Sequence, residues 1–469
     1  MAEPLNHPDR LLPADSQLRS IAKALYNSVC DLPIISPHGH TDPQWFADNQ
    51  PFDSPAALLI QPDHYVFRML YSQGISLDQL GIPDKDGQVS QVDPQDTWRT
   101  FAAHYHLFRG TPSRIWLDHV FGEVFGLDTP LSADTADLYY QTIEHQLHTP
   151  AFRPRALYDQ FNIEVLATTE SPLDSLQHHA AIAQSEWSGR VITTFRPDPV
   201  VDPEFEGFNA NLQTLGELTG QDTASYDGYL AALRHSRRHF IEHGATATDH
   251  GHPTAQTAVL SAHEAQALFN RIQDTPTAED AELFRAHMLT QMAAMSLEDG
   301  LVMQIHPGSW RNHNQPLFNQ YGRDKGADIP TQTSYVDALK PLLNAYGNHS
   351  QLSIIVFTLD ETAYSRELAP LAGHYPCLKL GPAWWFHDSP EGMRRFREQT
   401  TETAGFYNTV GFNDDTRAFL SIPARHDMAR RIDAGFLARL VSEHRLREDE
   451  AFAVARDLAC DLARQAYRL

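Results

Sequence analysis

The chain has 469 residues, enough for a sizeable core and, in an α/β barrel, for one domain spanning 1–469. Its 36 basic and 60 acidic residues leave a formal charge of -24, which disfavours nucleic acid and anionic membrane surfaces as partners but allows a small anionic substrate where arginines line the site. The three cysteines, Cys30, Cys377 and Cys460, are odd in number and far apart, so neither a disulfide framework nor a Cys-x-x-Cys motif is expected. With no basic and apolar leader pattern and no apolar run approaching ~20 residues, the expectation is a soluble cytoplasmic protein.

Short apolar or β-branched runs recur along the chain, each closing on polar residues: 32–37, 164–170, 191–198, 244–250, 301–306, 353–358, 377–384 and 409–415. Helical patterning separates them over 171–185, 229–243, 278–300, 335–345 and 389–405. A C-terminal helix ending at 449–468 places Phe452, Leu458, Leu462 and Ala466 on one core-facing stripe. Eight strands alternating with helices predict a (β/α)8 TIM barrel rather than an open doubly wound sheet, because no Gly-rich nucleotide loop follows the first strand. The stretch from about 45 to 162 is too long for one crossover, and it reads as a helical insertion after strand 1 that contributes to the active site.

Polar residues gather at the C-terminal ends of these strands, where barrel enzymes keep their chemistry. His38 and His40 close the first run, and residues two apart in an extended strand point the same way, so both imidazoles can reach one metal ion. Arg196 ends the third run, Asp249 and His250 the fourth, His306 the fifth, Trp384 and Trp385 the seventh, and Asp414 and Asp415 the eighth. The last strand of a barrel meets the first, so Asp415 can join His38 and His40 as a third ligand and leave positions open.

These residues fall in blocks that resemble the uronate isomerases, aldose–ketose isomerases of the amidohydrolase superfamily. The resemblance starts at His38-Gly39-His40 and Asp42-Pro43 and includes Asp63-His64-Tyr65 with Arg68, then Thr168 to Ser175. It continues in the same order through Phe195 to Asp198, Met303 to His306, Arg311-Asn312, Gly381 to Phe386, Asp415 to Arg417 and Phe419 to Ser421. Two departures stand out: Ser36-Pro37 where the family often has an acidic residue, and Glu170 where Asp is usual.

The resemblance implies that His38, His40 and Asp415 bind one divalent metal ion, zinc, with His306 near the metal or substrate. The fourth strand end carries Asp249 or His250 and no bridging lysine, which argues for a single metal. The resemblance further implies that Asp415, acting with a metal-bound substrate hydroxyl, takes the C2 proton, Tyr65 shuttles it between oxygens, and His64 and Arg417 steady the charge of an enediolate. A phenol with an ordinary pKa of ~10 suits a shuttle better than a primary base. Arg196 is the expected partner of the substrate carboxylate, since a guanidinium fork matches a carboxylate bidentately; an ion pair with Asp198 is its structural alternative. Trp384 is expected on the pocket wall, with Trp385 turned toward the helices. His104, His106, His178, His179 and the histidines of 235–243 are expected on the surface or on helices. The expected partner is a small-molecule hexuronate, D-glucuronate or D-galacturonate, and a homo-oligomer is compatible with the composition. The alternative is a metal-dependent amidohydrolase-type hydrolase of an amide, ester or lactone, for which His64 and Tyr65 would have no use.

Overall fold

The computed structural model describes residues 5–469. Its strands are β1 (Ile34–Ser36), β2 (Ile163–Ala167), β3 (Val191–Ile192), β4 (Ala247–His250), β5 (Val302–Ile305), β6 (Ser309–Trp310), β7 (Ile329–Pro330), β8 (Ile354–Val356) and β9 (Leu378–Leu380). Parallel ladders join β1, β2 and β3, and then β4, β5, β8 and β9. The two sheets are linked through Phe195, which bridges both Glu170 and Thr248 in parallel. At the far edge Leu380 pairs with Thr409, and the His40 amide donates to the Thr416 carbonyl at 3.0 Å, tying the last segment to the end of the first. The order is that of a TIM-barrel-like fold.

The expected eighth strand, 409–415, contributes only the bridge at Thr409. Gly411 at φ +76 bends the chain there, where an added Cβ would meet the Leu458 carbonyl oxygen at 2.9 Å. A strand cannot run through a left-handed residue, so the segment follows the barrel wall without a ladder. β6 and β7 pair antiparallel and lie outside the parallel order, as a hairpin in the loop after β5. Helix bounds also differ from expectation: the 171–185 helix begins only at Gln177, after an Asp174 side chain has accepted from the Leu176 amide and closed a turn.

Strand periodicity sorts the side chains. On β8 and the residue after it, Ile355 and Phe357 join Ala247, Val302, Trp384, Val410 and Tyr467 in one cluster, while Ile354 and Val356 pack in another with Met303, Ile305, Leu378 and Leu380. Tyr467 of the C-terminal helix therefore belongs to the interior set, where Asn413 donates to its hydroxyl at 3.1 Å and that hydroxyl donates to Gln304 Oε1 at 3.1 Å. Between β1 and β2 the described chain is helical, and its aromatic cluster around Trp98, Phe101, Phe121 and Tyr139 is continuous with Ile34, Leu166 and Phe419.

The loop between β6 and β7 carries the helix Gln315–Tyr321 and meets the helix His64–Tyr71 at Gly326, which sits at φ +73. An added Cβ there would lie 2.7 Å from Arg68 Cβ and 3.4 Å from the His64 carbonyl. Gly326→Ala imposes strain of about 1–3 kcal/mol at this contact. The expected outcome is tryptic cleavage at Arg323 and Lys325 several-fold faster than wild type, with a global unfolding midpoint close to wild type. Equal cleavage rates would show that the contact does not hold the loop.

Candidate active site

His38 and His40 lie just past β1, in a segment without ladder bonds, with ring centroids 5.3 Å apart in an edge-on arrangement. Gly39 between them runs close to its neighbours: a Cβ would meet the Ala167 and Thr416 carbonyls at 3.4 and 3.5 Å, and Thr169 Oγ1 donates to the Gly39 carbonyl at 2.9 Å. Asp415, at φ +34, turns its Oδ1 to His40 Nε2 at 3.2 Å and to His38 Nε2 at 3.6 Å. The Trp384 indole N–H donates to the other oxygen of Asp415. One nitrogen from each imidazole and one carboxylate oxygen lie within 4.8 Å of one another.

His38 also belongs to a second such group, with Asp249 and His306. The His306 ring stacks on His38 at 4.9 Å and on Phe357 at 3.9 Å. Its Nδ1 is 2.6 Å from Asp249 Oδ1, Arg196 Nη1 is 3.2 Å from Asp249 Oδ2, and His306 Nε2 is buried without a hydrogen-bond partner. Asp249 shares parity with Ala247 on β4 and faces inward, while His250 turns away and pairs with Thr248 Oγ1 at 3.0 Å. Of the two residues proposed for that position, it is Asp249 that reaches the cluster.

Protonation follows from burial. Burial pushes His38 down to about 4, against the pull of Asp415 and Asp249, so its imidazole is neutral. Burial raises the Asp415 carboxyl, but the neighbouring His38 and His40 outweigh it and hold the group well below the usual carboxylate range. Asp249 is likewise raised by burial and lowered further by Arg196 and His306, with a net fall. A neutral His38 imidazole beside an ionised carboxylate is the state a divalent cation requires. With two nitrogen donors, one oxygen donor and an unpartnered His306 Nε2 close by, these residues fit such an ion.

The insertion supplies His64 and Tyr65 at the start of the helix His64–Tyr71, whose N-cap is Asp63, accepting from the Tyr65 amide at 2.8 Å. The two rings stack at 4.6 Å, and the Arg425 guanidinium lies 5.2 Å from the Tyr65 ring centre and 3.6 Å from that of Trp116. Burial raises the Tyr65 phenol well above its ordinary value despite Arg425, and it keeps its proton. Burial, reinforced by the charge of Arg417, lowers His64 to about 3. His64 is therefore neutral and offers hydrogen bonds rather than charge.

All nine residues expected from sequence (His38, His40, His64, Tyr65, Arg196, His306, Trp384, Asp415 and Arg417) line one cavity of about 900 Å³. Two expectations change within it. Trp385 lines the same cavity as Trp384, because the chain leaves β9 at Leu380 and Trp385 takes φ +53, so strand alternation no longer applies. The Arg196 fork is already engaged: Nε meets Asp198 at 2.9 Å, Nη1 meets Asp249 at 3.2 Å, and Nη2 packs against Gly251, where a Cβ would lie 2.3 Å away. Outside the cavity, His179 lies on the helix Gln177–Gln184 as expected, buried, with its Nε2 2.8 Å from Thr168 Oγ1. Sequence reasoning also passed over Arg311, Arg323 and Asp324, brought to the cavity by the β6–β7 loop. Arg311 stood in a recognised block, whereas Arg323 and Asp324 fall in the stretch 321–328, which departs from the family's blocks and carried no assigned role.

A family model described as glucuronate isomerase matches residues 14–467. The chain belongs to the glucuronate isomerase family. Curated uronate isomerases of Phenylobacterium zucineum and Xanthomonas axonopodis pv. citri are each 68% identical to it, over 100% and 99% of this chain and 98% of their own. The crystal structure of glucuronate isomerase from Caulobacter crescentus superposes with a TM-score of 0.98 at 64% identity, covering 99% of this chain and 98% of that one. That of uronate isomerase from Thermotoga maritima gives 0.91 at 27% identity, over 98% and 99%.

Within this family frame Glu170 deserves a measurement of its own, as a longer acid on the cavity wall that accepts from Thr193 Oγ1. Burial pushes its carboxyl from 4.5 up to about 7, against the hydrogen bonds from Thr193 and Thr168. The folded protein holds this proton more tightly than the unfolded chain, so the group costs stability as pH rises through that interval. Glu170→Gln, which keeps the acceptor, is expected to gain about 2–3 kcal/mol relative to wild type between pH 4.5 and pH 8, read by urea unfolding at both. A difference that does not change with pH would show that folding leaves the Glu170 carboxyl unshifted.

Proposed function

We propose that the chain interconverts an aldohexuronate and its 2-keto form, D-glucuronate to D-fructuronate and/or D-galacturonate to D-tagaturonate, by proton transfer through an enediol(ate). The supporting observation is the convergence of His38, His40 and Asp415 with Tyr65 and His64 on one cavity in a chain 68% identical to curated uronate isomerases. In this reading residues 1–469 form one catalytic domain, and the helical insertion at about 45–162 supplies Tyr65 and His64. His38, His40 and Asp415 hold one divalent ion, zinc, which when bound supplies Lewis acidity toward the oxygen that gains negative charge.

The chain's own groups divide the remaining work. Asp415 is ionised and oriented by the Trp384 N–H, so it accepts the C2 proton. Tyr65 stays protonated, donates to the developing enediolate and relays a proton between O1 and O2. His64 adds a neutral hydrogen-bonding edge, and Arg417 adds the positive charge. His306, positioned by Asp249, and Trp384 bound the substrate space, while Arg196 orders Asp198 and Asp249. The partner is a small-molecule hexuronate, and the three free cysteines support a reducing cytoplasm. Among the described residues no helix is long and apolar enough to cross a membrane. The hydrolase alternative leaves Tyr65 and His64 without a task.

The deciding experiment is NMR of metal-loaded protein with D-glucuronate and with D-galacturonate in deuterated water. Ketose signals with deuterium at the exchanging carbon are expected. Ketose without deuterium would still establish uronate isomerisation, since a hydride shift and a proton transfer shielded from solvent both retain the hydrogen, and no conversion of either sugar by folded, metal-loaded protein would sink the reading. Asp415→Asn is expected to abolish turnover in a folded barrel, and Tyr65→Phe to slow it about 10²–10⁴-fold with a milder effect on binding; wild-type rates in both would refute the assignment of roles. Trp384→Phe, which keeps the ring and loses the N–H, is expected to weaken zinc binding about 10–100-fold by competitive chelation.

A further inference from the structure

Tyr65 lines the cavity and its amide donates to Asp63 Oδ1 at 2.8 Å, but among the described residues no side chain bonds its hydroxyl. A group that must serve two substrate oxygens in turn cannot be aimed through that hydroxyl, so its direction has to come from the ring. The ring meets Trp116 edge-on at 5.5 Å, and the Arg425 guanidinium lies against both, 3.6 Å from the centre of Trp116 and 5.2 Å from that of Tyr65. Arg68 is farther off, at 5.8 Å, and nearer to Phe386.

Arg425 is fully buried on the helix Ser421–Ser442 and does not line the cavity. Its place is fixed from two sides. Nη1 donates to the buried Asp388, which ends the short helix Trp385–His387 that follows Trp384, and the Trp384 indole in turn orients Asp415. Nε donates to Ser421 Oγ at 3.1 Å, and that oxygen is 3.2 Å from Oγ1 of Thr416, next in sequence to Asp415. The guanidinium thus joins the two segments that hold the base to the insertion that holds the shuttle. An apolar side chain of like volume would fill the space between the rings without burying a charge. What the charge adds is attraction to both rings and a pull on the phenol proton opposed to that of burial, which suits a group that must release a proton as well as hold one.

We propose that Arg425 is a positioning residue for the isomerisation and acts through Tyr65: anchored by Asp388 and Ser421, it holds the Tyr65 ring against Trp116 and fixes the phenol's place relative to Asp415. The proposal rests on the uronate reading of the site and on Tyr65 as its proton shuttle. Arg425 does not touch the substrate, so its loss falls on the proton-transfer step and not on binding.

The test is a double-mutant cycle between positions 425 and 65. Because Arg425→Met alone would strand the Asp388 carboxylate, one arm pairs Arg425→Met with Asp388→Asn, and the other is Arg425→Lys, which keeps the charge and loses the planar fork. Each is made in the wild-type and in the Tyr65→Phe background, with folding checked by circular dichroism and zinc content measured. Ketose formation is followed in single turnover, with protein in excess over the uronate that the wild type converts, D-glucuronate or D-galacturonate. In the wild-type background the neutral pair is expected to slow conversion about 10–30-fold and the lysine about 3–10-fold, while the half-saturating protein concentration stays within about twofold. In the Tyr65→Phe background each is expected to cost less than about twofold. Equal losses in the two backgrounds, or a loss that follows zinc content, would overturn the proposal and leave Arg425 a structural anchor. Folded variants that convert the sugar at the wild-type rate would overturn it as well. A neutral pair that does not fold leaves the same comparison to the lysine arm. Tyr65→Phe protein as fast as wild type, or wild-type protein that converts neither sugar, would instead refute the reading on which the proposal rests.

Discussion

Two carboxylates, the buried Asp249 and the part-buried Asp415, share His38 as a neighbour in the cavity, and the rest of the site is arranged around the cost of keeping them ionised there. Asp249 is compensated within the protein, by the Arg196 guanidinium on one oxygen and His306 on the other. Asp415 is not. Its partners are an indole N–H and two imidazoles, and His38 is too strongly desolvated to carry a proton near neutral pH. A part-buried anion beside a neutral His38 leaves an electrostatic deficit that a divalent cation between His38, His40 and Asp415 would fill. The same comparison explains why Arg196 belongs to Asp249: removing that cation would leave a second uncompensated charge in the same cavity.

That arrangement sets what the surrounding loops must do. The strand ends and the segment 409–415 bring His38, Asp249, His306 and Asp415 together, and in the proposed mechanism the proton relay comes from elsewhere. Tyr65 comes from the insertion, where Asp63 caps its helix and Arg425 lies between the Tyr65 and Trp116 rings while bonded to Asp388. The β6–β7 loop also lines the cavity and touches the insertion at Gly326, the one residue type that allows so close an approach at that φ. Barrel, insertion and loop thus contribute floor, relay and cover, and changes at Gly326 act on the cover without touching the floor.

Much of this was legible in the sequence because it obeys period and punctuation. Apolar runs ending in polar residues marked the strand ends, and the short spacing in His38-Gly39-His40 was sufficient to pair two ligands. The reading failed where the chain leaves regular structure. Alternation put Trp385 on the outer face, but β9 ends at Leu380 and a left-handed residue returns that side chain to the cavity. The 409–415 run looked like a strand by composition, and Gly411 prevents it from being one. Parity could have chosen Asp249 over His250 once the strand register was fixed. Nothing local marked Arg323 or Asp324, whose place in the site depends on a long-range loop contact. Arg196 was visible as a cavity arginine, whereas its saturation by two acids is a tertiary fact.

The chemistry then follows from how far apart the environment pushes two acids in one cavity. Asp415 is driven to remain ionised and Tyr65 to remain protonated, so one accepts and the other donates over the whole neutral range. A hydrolase needs a group that activates water; an aldose–ketose isomerase needs an acceptor for a carbon-bound proton and a donor that serves two adjacent oxygens. A phenol kept neutral by burial, beside a carboxylate kept anionic by its neighbours, meets the second requirement and not the first. The insertion that delivers Tyr65 is therefore the part of the chain that turns a metal-ready barrel floor toward isomerisation.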